Sequence, residues 1–151
     1  RRIAVVLMVV LAACAEQQQP QTDQPAQQPA SPEPAAQEFQ VIPTEYAFDG
    51  VPETMEAGEA TFTLVNEGEE QHEMTLAKIN DDRPLEELIQ LPQKEVQEVI
   101  EDAGRTEAKP GKSKTFTADL ESGRYSYVCF ITTEDGTPHA FEGMFGEFTV
   151  A

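Results

Sequence analysis

From Phe39 to the C-terminus, no apolar stretch outlasts a short strand before a turn signal interrupts it. Asp49-Gly50 closes "FQVIPTEYAF", "EGEE" closes "EATFTLVN", and "ESG" separates "KSKTFTADL" from "GRYSYVCFI". Gly and Asp supply the backbone conformations of tight turns, and short alternating runs between such signals fit strands. Alternation puts Ala60, Phe62 and Leu64 on one side of their run. In "HEMTLAKI" it sets His72, Met74 and Leu76 on one face and Glu73 and Thr75 on the other. "KSKTFTADL" and "GRYSYVCFI" read as a hairpin, and "MFGEFTV" as a closing strand. Short strands at regular spacing predict an all-β fold, an antiparallel β-sandwich.

One segment departs from that period. Between residues 84 and 104, Leu85, Leu88 and Ile89, then Val96, Val99 and Ile100, recur at three-and-four spacing. That is helical spacing, and Pro92 divides it into two short helices. Pro84 at the start and Gly104 at the end fit helix boundaries. The expectation is a sandwich of residues 39–151 with a helical insertion at about 84–104.

The residues ahead of Phe39 are of two other kinds. Arg1 and Arg2 precede "IAVVLMVVLAA", eleven residues without a charge. A membrane-spanning helix needs roughly 20, so the run fits the apolar core of a signal peptide. It ends in "LAAC", which resembles the bacterial lipobox. That resemblance makes residues 1–14 a lipoprotein signal peptide and Cys14 the acylated residue; an unlipidated signal peptide is the other reading. Residues 15–38 follow, and 18 of these 24 are Gln, Pro or Ala. Without large apolar side chains to offset the entropy of ordering, the segment is expected to be a disordered tether. Its prolines favour extension at about 3.1 Å per residue, a reach of up to roughly 75 Å.

The chain has 28 acidic and 10 basic side chains, for a net charge of −18. Such a surface repels nucleic acid and anionic headgroups and attracts cationic partners, or else serves only as a solvated face. The two cysteines do not suggest a disulfide once Cys14 is assigned to a lipid. Cys129 is then a lone thiol in an exported protein, and something must occupy or bury it.

The C-terminal stretch "YSYVCFITTEDGTPHAFEGMFGEFTV" brings Cys129, His139 and Met144 in sequence, and the one other histidine of the chain, His72, opens a strand. Thiolate, thioether and imidazole are ligands that favour copper, and two His, one Cys and a weak axial Met form the set of blue-copper electron-transfer sites. Taken singly, each residue also reads as core: a strand histidine, a small buried thiol, a packed methionine. Cys129 with His139 further allows a thiol–imidazole nucleophile pair. There is no Gly-rich phosphate loop and no CxxC motif.

The motifs resemble those of the cupredoxins, the type 1 (blue) copper domains of the plastocyanin kind. "NEGEEQHE" is similar to their turn before the first histidine, with Asn66, Gly68 and His72. Gly123, Tyr125, Tyr127 and Cys129, then Pro138-His139, then Gly143-Met144, Gly146 and Val150 follow their C-terminal signature. The resemblance spans essentially all of residues 39–151 and implies a Greek-key sandwich holding one type 1 copper. His72, Cys129 and His139 would be equatorial ligands and Met144 axial. Two departures stand out. Nine residues separate Cys129 from His139, a longer loop than plastocyanins have, and Glu73 stands where those proteins usually carry Asn.

These readings combine as a lipid-anchored, extracytoplasmic or periplasmic single-electron carrier, not an enzyme. Its partners would be the membrane, through the anchor, and a basic, cytochrome-like redox protein. His139 is expected nearest the surface, among Pro138, Phe141 and Phe145. The alternative is a cupredoxin-like lipoprotein that holds copper without redox duty, or a metal-free structural or binding module.

Overall fold

A computed structural model describes residues 36–151. The expected signal peptide, Cys14 and the tether up to residue 35 lie outside the described residues. The first strand begins at Gln37, so residues 37 and 38 belong to the folded domain rather than to the tether.

The strands are β1 (Gln37–Thr44), β2 (Ala47–Asp49), β3 (Thr54–Met55), β4 (Gly58–Val65), β5 (His72–Ile79), β6 (Ile100–Ala108), β7 (Ser113–Leu120), β8 (Gly123–Val128) and β9 (Phe145–Val150). They form two sheets, one in the order β2-β1-β4-β7 and the other β3-β9-β8-β5-β6. Most pairs are antiparallel, as the sequence predicts. Two are parallel: β1 with β4 and β3 with β9. The class is thus a β-sandwich of mixed strand direction. The core lies between the sheets, where Val41, Phe62, Leu64, Met74, Leu76, Tyr125 and Phe148 are buried. Tyr125 stacks on Phe148 at 5.3 Å, and Phe62 stacks on Phe39 and Phe116 at 5.4 and 5.2 Å. The alternation of β4 is realised: Ala60, Phe62 and Leu64 are buried, and Thr61 and Thr63 face outward to meet Thr117 and Thr115.

Three expectations are corrected. β7 and β8 are not a hairpin: the turn between them carries the chain from one sheet to the other. The Glu121 N–H donates to the Tyr125 hydroxyl at 3.0 Å and fastens that corner. "FQVIPTEYAF" is not one strand, because Glu45-Tyr46, with Tyr46 at φ 64°, folds β2 back on β1. Finally, the helical segment ends early. Two short helices, α1 (Leu85–Leu88) and α2 (Gln93–Val99), occur as expected, but Ile100 to Ala108 is strand β6. Pairing along the whole of β5 satisfies more backbone groups there than one further helical turn would. Gly104 marks a bulge, not a helix end: its φ of 131° suits glycine, and a Cβ would meet the Phe116 ring at 3.0 Å.

The helices cover the outer face of β5 and β8, so β5 is buried on both sides. Ile79, Leu85 and Leu88 form a second apolar cluster beneath them.

Candidate metal centre

At one end of the sandwich, three loops converge on the start of β5 and the end of β8. Asn66 organises the loop before His72. Its Nδ2 donates to the Glu70 and Ala108 carbonyls, both at 2.8 Å, and its Oδ1 accepts the Gly68 N–H at 2.9 Å. The turn therefore delivers His72 to the first position of β5, opposite Ala108. A Cβ on Gly68 would come within 2.8 Å of His72 Nε2 and 2.5 Å of Glu45 Oε1, so the loop backbone packs directly on the ring.

Cys129 follows the last residue of β8. Its N–H donates to the Met144 carbonyl at 3.1 Å, and its own carbonyl accepts the Ala140 N–H at 2.9 Å. The long "FITTEDGTP" loop does not carry His139 away, because it closes on itself. Thr133 N–H donates to the Thr137 carbonyl at 2.9 Å, Thr132 bridges Pro138, and Asp135 accepts from the Thr133 hydroxyl and the Thr137 N–H. His139 N–H then returns to the Ile131 carbonyl at 2.8 Å and opens a 3₁₀ turn, His139–Glu142. Met144 follows that turn, fully buried, its N–H donating to the His139 carbonyl at 3.0 Å.

One donor atom from each of His72, Cys129 and His139 lies within 4.8 Å of the others. Cys129 Sγ is 3.5 Å from His139 Nδ1, and the two imidazoles are 5.1 Å apart by centroid. All three side chains are completely buried. His72 Nδ1, His72 Nε2 and His139 Nε2 make no hydrogen bond. Buried polar atoms are satisfied in the great majority of proteins, and each unsatisfied one costs about 1–3 kcal/mol. An unpartnered His72 nitrogen grouped with a buried thiol and a second imidazole fits a soft metal ion, which takes lone pairs rather than protons. Burial raises the Cys129 thiol above its ordinary pKa. Burial, and then the neighbouring His139, lower that of His72. Without a cation both groups are held neutral.

Around this cluster stand residues the sequence did not single out. Glu45 Oε1 accepts the Glu69 and Glu70 N–H groups, chiefly the first, which lowers its pKa, and it sits 3.7 Å from His72 Nε2. Glu70 Oε2 approaches His139 Nε2 to 2.8 Å, but out of line with a ring N–H, so this is not a hydrogen bond. The Tyr46 ring meets His139 edge-on at 5.1 Å. His139 is consequently buried rather than near the surface; of its expected neighbours, Phe141 is exposed. Nothing in the local sequence marks Glu45 and Tyr46, since a hairpin far upstream brings Glu45 beside His72 and Tyr46 over His139. Glu73 does not point into solvent. It is buried, donates its N–H to Cys129 Sγ at 3.4 Å and accepts the Phe130 N–H at 3.0 Å.

No family model and no curated protein matches the sequence. Solved structures do match the fold. Dithionite-reduced auracyanin of Roseiflexus castenholzii aligns at 24% identity over 76% of this chain and 96% of that one, with a TM-score of 0.52. Auracyanin A, a blue copper protein of Chloroflexus aurantiacus, aligns at 19% identity over 77% and 99%, with a TM-score of 0.54. Reduced rusticyanin aligns at 19% over 77% and 79%, with a TM-score of 0.51. At this level of identity the likeness speaks for architecture, and the architecture of the described residues is the cupredoxin fold.

Proposed function

We propose that the protein is a single-electron carrier that would hold one type 1 copper through His72, Cys129, His139 and Met144. The observation that carries this reading is the buried trio of donors, mutually within 4.8 Å, whose ring nitrogens make no hydrogen bond outside the trio. When bound, copper supplies the Cu(II)/Cu(I) couple. The rest is the work of the chain. His72 is held by the Asn66 turn and Cys129 and His139 by paired loops, so the donors are placed before any ion arrives. His72 Nε2 faces Glu45 and Gly68, which leaves Nδ1 for the centre. The Glu73 N–H donates to the sulfur and would stabilise its negative charge. Burial of all three side chains excludes water from the site.

The acidic surface would speed encounter with a basic redox partner, an effect that weakens as salt shortens the Debye length to about 8 Å. The lipid on Cys14 would keep the carrier at the outer face of a membrane, within tether reach of that partner. The competing reading is copper holding without electron transfer, or a metal-free binding or structural role.

The test is Cu(II) titration of wild type beside Cys129→Ser, followed by voltammetry. One equivalent taken up with an intense thiolate charge-transfer band, lost in Cys129→Ser, and reversible one-electron cycling is the expected outcome. Uptake without the band or the cycling would favour copper holding. No uptake would leave the structural role.

A further inference from the structure

The outer face of the second sheet carries a cavity of about 390 Å³ that plays no part in metal binding. Its floor is made of small side chains on neighbouring strands: Thr75 and Ala77 of β5, Ser126 and Val128 of β8. Thr75 lies opposite Val128 and Ala77 opposite Ser126, so all four project from the same face. Its roof is the helical insertion. Leu85 and Leu88 of α1 are buried with Ile79 and anchor one end. At the other end α2 buries no residue, although Gln93, Val96 and Gln97 line the cavity from that helix. An amphipathic helix seated on a sheet buries its apolar stripe. Here Val99 packs, partly buried, against the Ile79–Leu85–Leu88 cluster, while Val96 borders the open space above the short floor side chains.

Two features define what fits. Charged residues make up 25% of the chain, yet no charged side chain lines this space. An ion entering would lose hydration without gaining a counter-charge. Secondly, Ser126 is 4% exposed, and its hydroxyl makes one hydrogen bond, a long one to the Ala77 carbonyl at 3.5 Å. Hydroxyl hydrogen bonds are shortest and strongest near about 2.8 Å, so this buried donor is poorly used. We infer that the cavity binds a neutral, largely apolar small molecule carrying one carbonyl oxygen, which accepts the Ser126 hydroxyl. The volume falls within the roughly 300–1,000 Å³ of small-molecule sites. Phe130, 47% exposed, lines the same space. The inference does not depend on copper, and its test is run on metal-free protein.

Full-length protein is titrated with the neutral fluorophore N-phenyl-1-naphthylamine and with anionic 8-anilinonaphthalene-1-sulfonate. Saturable one-site binding of the first, and at least about tenfold weaker binding of the second, are expected, a difference of about 1.4 kcal/mol or more. 2-Acetylnaphthalene and 2-ethylnaphthalene should both displace the neutral probe. Ser126→Ala should weaken the ketone by about three- to tenfold and leave the hydrocarbon unchanged. Val96→Trp, on a helix with no buried residue, should fill the space, abolish probe binding and leave the fold intact by circular dichroism. The inference is overturned if wild type shows no saturable site, if Val96→Trp leaves binding unchanged, or if Ser126→Ala weakens both competitors equally.

Discussion

Glu73 holds Cys129 from two directions: its N–H donates to Sγ at 3.4 Å, and its carboxylate accepts the N–H of the next residue, Phe130, at 3.0 Å. Glu73→Ala keeps the first bond and removes the second, leaving a half-buried amide without its acceptor. Stability of the metal-free protein should fall by about 1–3 kcal/mol in urea unfolding. The thiolate band of the copper-loaded form should shift rather than vanish, because the donor to sulfur is backbone. Unaltered stability would show that solvent satisfies Phe130 as well as the carboxylate does.

Gly68→Ala probes the other side of the centre. The added methyl would overlap both His72 Nε2 and Glu45 Oε1, and the His72 ring is itself completely buried. Overpacking of this kind costs about 1–3 kcal/mol. Here the yielding element is the ligand itself, so copper affinity should fall at least about tenfold. A wild-type affinity and spectrum would mean that Glu45 swings out and His72 stays.

The metal-free protein should be most stable in a limited pH range. The folded pKa of His72 lies below its unfolded value of about 6.5, so its contribution is present above that pH and is lost as pH falls through the folded value. The folded pKa of Cys129 lies above its unfolded value of about 8.5, so stability holds below that pH and declines as pH rises. Thermal melting across pH would show both limbs. Cys129→Ser should erase the alkaline one alone.

Arg124 secures the helical insertion. It pairs with Glu147 through Nε and Nη2, and its Nη1 donates to the Asp81 and Arg83 carbonyls at 3.0 and 2.8 Å. Glu147 in turn accepts the Leu85 N–H at 3.3 Å. Arg124→Met should cost about 1.5–3 kcal/mol by chemical unfolding and raise hydrogen exchange in α1 before the core strands. Beside it, the Arg83 side chain holds Asp81 at a pKa of about 2, so that contact persists well below neutral pH and is lost as pH falls through that value. Unchanged exchange in α1 would mean that the Leu85–Leu88 contacts alone hold the insertion.

Strands β4 and β5 were legible because alternation at period two survives in any context that buries one face. β6 was not. "IEDAG" continues a helical pattern, and only the unpaired edge of β5, invisible in one dimension, draws it into strand. The split between β7 and β8 is of the same kind. A hairpin and a corner share a turn sequence, and the choice depends on which sheet needs each strand.

By itself the chain determined the donor types and their order, since only thiol, imidazole and thioether in this set suit a soft ion, and it determined that short strands would present them. It could not determine exposure. His139 is buried because a hairpin made by residues 44–47 and the carboxylate of Glu70 close over it, and Glu73 is buried with its carboxylate accepting the Phe130 N–H. Such contacts join segments tens of residues apart, and only the three-dimensional fold sets which polar groups meet and which lose water.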